Sequence, residues 1–355
     1  MIVEKLIRYV LIASCALIVS ACASLNGDWT NEPSSVAKNG KATRAPRVNI
    51  DKQSVRSLDA PYNDLWDRIR DGFGFDEMDS PLVIKHVRWY SDRPDYVDRM
   101  MSRSSRYLFY IVEEVERRKM PMELALLPFI ESAFNPEAFS RAKASGMWQF
   151  MPATGKDFKL TQNVFRDERR DVIQSTDAAL DYLQRLYKMF GDWPLALAAY
   201  NWGEGNVAKA IKRNQSKGLP TDYMSLSMPD ETRNYVPKLL AVKRIVEDSK
   251  AYGLNLPKLE NHPYFVAVEV GSDIDVALVI KLAEIPSDEF HSLNPSFNKP
   301  VILSNANQQI LLPFAHAEIF QDNLKQYTKP LSSWTAVQIT KTESVDQAAK
   351  TLGVD

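Results

Sequence analysis

Two neighbouring stretches decide how this chain is read: Leu126-Leu-Pro-Phe-Ile-Glu-Ser-Ala-Phe134 and Ser145-Gly-Met-Trp-Gln-Phe-Met-Pro152. The first ends an apolar run on one carboxylic acid, Glu131. A carboxyl held among Leu126, Leu127, Phe129, Ile130 and Phe134 loses hydration of its charged form, which raises its pKa and keeps a proton on it near neutrality. That is the property of a general acid. An ordinary solvated or ion-paired glutamate at a helix end fits the same stretch, so the reading turns on the rest of the chain.

Outward from Glu131 the pattern is helical. Tyr62, Leu65, Trp66 and Ile69 recur at helical spacing up to Asp71-Gly72-Phe73-Gly74, and Leu108, Ile111, Val112 and Val115 mark a second helix ending before Pro121. Met122 to Ile130 reads as a third, bent near Pro128, which leaves Glu131 at its C-terminal end. Residues 171–191 form an amphipathic helix closed by Gly191. Asp192 then caps a helix with Pro194 in its first turn, running through Tyr200 into Asn201-Trp-Gly-Glu-Gly205. Val207 to Ile211 begins another, and Asp230 opens a last long helix through Val246. No convincing strand lies between residues 61 and 252.

Beyond Pro257 the period changes. Tyr264–Val270 reads as a strand, Asp275–Leu282 and Ser287–Leu293 as helices, and Gln309–Leu312 as a second strand. From Trp334 a new strand and a helix, Ser344–Leu352, begin a similar unit. The fold class is therefore mainly α, a helical domain over residues 61–260 followed by a small α+β module (strand, helix, helix, strand) over 262–315, with the start of an incomplete repeat at 334–355.

Composition removes several function classes. The 355 residues carry a net charge of −1, and no run of Lys and Arg suggests nucleic acid. His86, His262, His291 and His316 lack metal-ligand spacing, and no phosphate-cradling loop of the required form occurs, so no metal and no cofactor are expected. The N-terminus carries Lys5 and Arg8, a short apolar run from Tyr9 to Val19 and small residues at Val19-Ser-Ala-Cys22, the make-up of a secretory signal over residues 1–21. Of the two cysteines, Cys15 falls inside that segment. Residues 22–60 read as a flexible tether.

Four separated motifs stand in order: Glu131-Ser132; Gly146-Met-Trp-Gln149-Phe-Met-Pro152 with Thr154; Ala199-Tyr200-Asn201-Trp-Gly203-Glu-Gly205; and Glu231-Thr-Arg-Asn-Tyr235-Val-Pro237. Together they resemble the lytic transglycosylases of the soluble-transglycosylase type, whose catalytic domain is goose-lysozyme-like. The resemblance implies Glu131 as the single catalytic acid and base. It also implies Ser140, Gln149, Met151, Tyr200, Asn201 and Glu231 as substrate-binding positions, and peptidoglycan glycan strands as substrate. Trp148 and Trp202 are candidates for stacking on sugar faces or for core packing. Residues 262–315 resemble a divergent LysM-type module. Val19-Ser-Ala-Cys22 resembles a bacterial lipobox, which implies a lipid on Cys22; Ala23 and Ser24, where an inner-membrane retention signal would show Asp, imply the periplasmic side of the outer membrane, and a monomer is expected. Two other readings stay open at this point: a goose-type lysozyme-like hydrolase that lets water attack, and a lipoprotein that binds peptidoglycan without cutting it.

Overall fold

The computed structural model describes residues 62–304, 308–333 and 344–352. The expected signal, lipidation site and tether, and the strand expected from Trp334, lie outside the described residues.

The N-terminal part is helical: α1 (Leu65–Asp71), α2 (Pro81–Ser91), α3 (Pro94–Ser104) and α4 (Leu108–Arg117) precede a 3-10 turn at Met122–Leu126 that runs into α5 (Leu127–Glu131). Then come α6 (Pro152–Asp157), α7 (Val172–Phe190), α8 (Trp193–Trp202), α9 (Glu204–Gln215) and α10 (Asp230–Glu247). Local chemistry sets the ends. Asp171 and Asp192 cap α7 and α8 with their carboxylates, and Gly191 closes α7 in the left-handed conformation. The helix expected over Met122–Ile130 is two elements: the break falls at Leu126/Leu127, and Pro128 sits in the first turn of α5, where its missing N–H costs nothing. Helices α2 and α3, unforeseen, both begin with proline at N1, and their buried faces are Val83, Val87 and Tyr90, and Val97, Met100 and Met101.

Helix α10 is the central element. It packs against α2, α5 and α8, and its buried side chains run from Thr232 to Val246. Helix α8 is nearly all apolar and small, Leu195 to Ala199 being buried, so α7 and α10 approach it closely.

In the C-terminal module β1 (Phe265–Glu269) pairs antiparallel with β4 (Gln309–Pro313), and a two-residue pair joins β2 (Ile274–Asp275) to β3 (Val301–Ile302). Helices α11 (Val276–Ala283) and α12 (Ser287–Leu293) lie between, and α13 (Phe314–Gln326) follows β4 directly. Strand alternation divides the two cores. Val266, Val268, Ile310 and Leu312 face the module's own interior, while Phe265 and Leu311 join the core of the helical domain. The module extends past residue 315, because Ala317, Phe320 and Leu324 of α13 are part of its interior. Its α12 is fastened to the helical domain by an Arg106–Glu289 ion pair at 2.8 Å, with Tyr264 Oη donating to the same carboxylate and Tyr107 Oη to the Ser292 carbonyl. A last helix, α14 (Val345–Leu352), agrees with the helix expected there.

Candidate active site

Glu131 is the last residue of α5, and the chain leaves it abruptly. Ser132 and Phe134 both donate backbone N–H groups to the Pro128 carbonyl, and Ala133 and Phe134 are left-handed, with φ of 51° and 54°. Side chains resist that conformation, at a cost of about 1–3 kcal/mol each, so the surroundings must hold it. Phe134 supplies the hold: it is fully buried, edge-on to Phe129 at 4.5 Å and stacked on Tyr107. The turn sets the carboxyl of Glu131 against α10, within hydrogen-bonding reach of Tyr235.

Burial is the main cause that pushes the Glu131 carboxyl up to about 7. The Tyr235 hydroxyl on α10 donates a hydrogen bond to Oε1 and opposes the rise, the negative charge of Glu231 adds to it, and Lys238 opposes it. Tyr235 and Tyr200 are themselves held far above the usual phenol range, by burial first and by the Glu131 charge second, so both remain neutral donors. Tyr200 does not bond Glu131: its hydroxyl donates to the Trp148 carbonyl at 2.9 Å.

The second quoted stretch forms a tight loop beside this acid. Ser145 and Phe150 exchange both backbone hydrogen bonds, Gly146 N–H donates to the Ala138 carbonyl, and Gln149 stands in the left-handed region at φ 51°. Gln149 Nε2 donates to the Gly146 carbonyl at 2.8 Å, and Ser140 Oγ accepts from the Ala144 N–H at 3.0 Å, so both shape the loop itself. Ser132 Oγ donates to the Met147 carbonyl at 2.9 Å and ties the loop to the residue after Glu131. Met151 is exposed at the start of α6.

The tryptophans separate clearly. Trp148 is fully buried with Nε1–H donating to Thr176 Oγ1, which makes it core, whereas Trp202 is half-buried at the end of α8. Asn201 Oδ1 accepts from the buried Thr232 hydroxyl at 2.8 Å and joins the end of α8 to the start of α10. Glu231 is exposed in the first turn of α10, where a negative charge suits the helix dipole. Glu231 and Tyr200 thus both lie within electrostatic reach of Glu131, whereas the hydrogen bonds of Gln149 stay within its own loop and its Ala138 neighbour. Sequence reasoning missed Tyr235 as the partner of Glu131, although it stands four residues, one helical turn, after Glu231 in a quoted motif. No cluster able to hold a metal ion occurs among the described residues.

Comparison with known proteins assigns this helical domain and the strand-containing module after it to the lytic transglycosylase class. The family model described as transglycosylase SLT domain matches residues 109–221, and that described as lytic transglycosylase MltD, LysM-like domain matches residues 264–329. More particularly, the chain belongs to the membrane-bound lytic murein transglycosylase D family. It is 37% identical over 321 residues to the protein of that name from Escherichia coli (strain K12), which covers 89% of this chain and 70% of that one. Over 120 residues it is 51% identical to a protein of Alteromonas sp. (strain M-1) named for tributyltin chloride resistance, across 34% of this chain and 58% of that one. Soluble lytic murein transglycosylase of Escherichia coli (strain K12) is 31% identical over 116 residues, across 31% of this chain and 18% of that one.

Proposed function

We propose that this lytic transglycosylase of peptidoglycan cleaves the bond between N-acetylmuramic acid and N-acetylglucosamine with Glu131 as its single acid and base. The observation that carries the reading is the Glu131 carboxyl itself, pushed up to about 7 and bonded by a neutral phenol, with Glu231 as the other acidic side chain acting on it. Glycosidases of the usual kind place two carboxylates across the scissile bond. Here Glu231 is exposed in the first turn of α10, which suits an electrostatic or substrate-contacting part.

The protonated Glu131 gives its proton to the glycosidic oxygen as the bond to the anomeric carbon breaks, and the N-acetylglucosamine leaves as an alcohol. The substrate's own acetamido group stabilises the positive charge left at that carbon. The carboxylate then takes the proton from the 6-hydroxyl as that oxygen bonds to the anomeric carbon. The product is a 1,6-anhydromuramoyl end, no water is consumed, and Glu131 regains its proton. Tyr235 steadies the carboxylate between the two steps, because its hydrogen bond favours the ionised form.

Gln149, Ser140, Met151, Tyr200 and Asn201 shape or line the place where the sugars lie. Family membership supports an envelope location. The Val19-Ser-Ala-Cys22 stretch supports a lipid on Cys22 and a position on the periplasmic side of the outer membrane. Mass spectrometry of soluble products tests the reaction: anhydro ends support it, and reducing ends would replace it with hydrolysis.

A further inference from the structure

One buried cation beside the site has no part in the chemistry above. Arg169, 6% exposed, lies between α6 and α7. Its Nε and Nη2 donate to the two carboxylate oxygens of Asp167 at 3.0 and 2.7 Å, and its Nη1 donates to the carbonyls of Lys143 at 2.8 Å and Phe150 at 3.2 Å. Those two carbonyls stand at opposite ends of the turn that carries Gly146 to Gln149. The guanidinium therefore staples that turn closed.

The two glycines of the stretch Gly146 to Gly155 make room for this residue. A Cβ on Gly146 would fall 2.0 Å from the Arg169 carbonyl oxygen, and one on Gly155 would fall 3.1 Å from Cγ and Cδ of its stem. Asp167 is held from the other side by the C-terminal module: its N–H donates to the Ser296 carbonyl at 2.9 Å, while Asn298 N–H donates to the Phe165 carbonyl at 2.8 Å. Contacts thus run without a gap from the module through Asp167 and Arg169 to the loop. From the loop they reach Ser132 through the Met147 carbonyl and Tyr200 through the Trp148 carbonyl.

We propose that Arg169 is a positioning residue for lytic cleavage, fixing the Ser140–Met151 loop against Glu131, and that the C-terminal module holds Arg169 in that place through Asp167. The inference rests on Glu131 and this loop being the site. Only a planar fork of donors can serve a carboxylate on one edge and two carbonyls on another; a lysine keeps the charge and loses the second set of bonds. The module then acts on catalysis as well as on whatever glycan it binds.

The test is steady-state kinetics of the full-length protein on a soluble, uncrosslinked glycan strand, each variant assayed well below its own melting midpoint. Arg169→Met is expected to lower kcat at least tenfold, Arg169→Lys to recover part of that loss, and Val97→Ala, a core change on α3 away from the loop, to keep wild-type kcat. A folded Arg169→Met with kcat within twofold of wild type overturns the proposal, and so does a Val97→Ala that loses as much. Should Arg169→Met fail to fold, Asp167→Asn decides: it keeps the N–H to Ser296, and an unchanged kcat there overturns the proposal. Glu131→Gln run in parallel separates the two claims, since full activity in that variant removes the site and the proposal with it, whereas its inactivity beside a fully active Arg169→Met removes the proposal alone.

Discussion

Replacing Glu131 by glutamine should make the protein inactive and, above neutral pH, more stable. The native carboxyl titrates at about 7 against 4.5 for the unperturbed group. Below pH 4.5 both folded and unfolded chains hold this proton, and its contribution to stability is fully present. As pH rises from 4.5 towards 7 the unfolded chain releases the proton first, so stability falls, and above 7 the loss is complete. At 1.36 kcal/mol per unit the loss is up to about 3 kcal/mol. Glutamine keeps the shape of the protonated acid and cannot titrate. Thermal denaturation followed by tryptophan fluorescence at pH 5 and pH 8.5 reads the difference, with a midpoint gap of roughly 5–10 °C expected to open only at the higher pH. A gap between variant and wild type that stays the same at both pH values, or a wild type that gains on the variant at pH 8.5, refutes the burial argument.

Tyr235→Phe removes the hydrogen bond that favours the ionised form of Glu131, so the alkaline limb of the activity profile should move to higher pH while kcat falls, read by initial rates across pH 5–9. Gly146→Ala must set a Cβ against the Arg169 carbonyl at a φ of +86°, and circular dichroism should show a large drop in melting temperature or no folded protein. Thr232→Val leaves Asn201 Oδ1 without its buried donor and should cost about 1–3 kcal/mol in urea denaturation.

Much of the helical domain can be read from local signals because its helices carry their own ends: Asp171 and Gly191, Asp192 and Pro194. Helices α2 and α3 carry comparable starts in Pro81 and Pro94, but charged residues such as Lys85, Arg88, Asp95 and Arg99 crowd their apolar positions and blur the period. Helix α13 escaped notice for another reason, since Phe314 follows the last residue of β4 with no intervening turn. Glu131 was legible because burial of a carboxyl in an apolar run is a local property. Its partner was not, because Tyr235 lies 104 residues away and only the packing of α10 over α5 decides whether Tyr235 or Tyr200 reaches the acid. The same holds for Arg169, whose four hydrogen bonds reach from Lys143 to Asp167 and follow no sequence period.

The most direct measurement of the central claim is mass spectrometry of the muropeptides released from purified sacculi by the full-length protein and by Glu131→Gln. The single-carboxylate account predicts 1,6-anhydromuramoyl ends from the wild type and none from the variant. Reducing ends from the wild type, or anhydro ends from the variant, would contradict it.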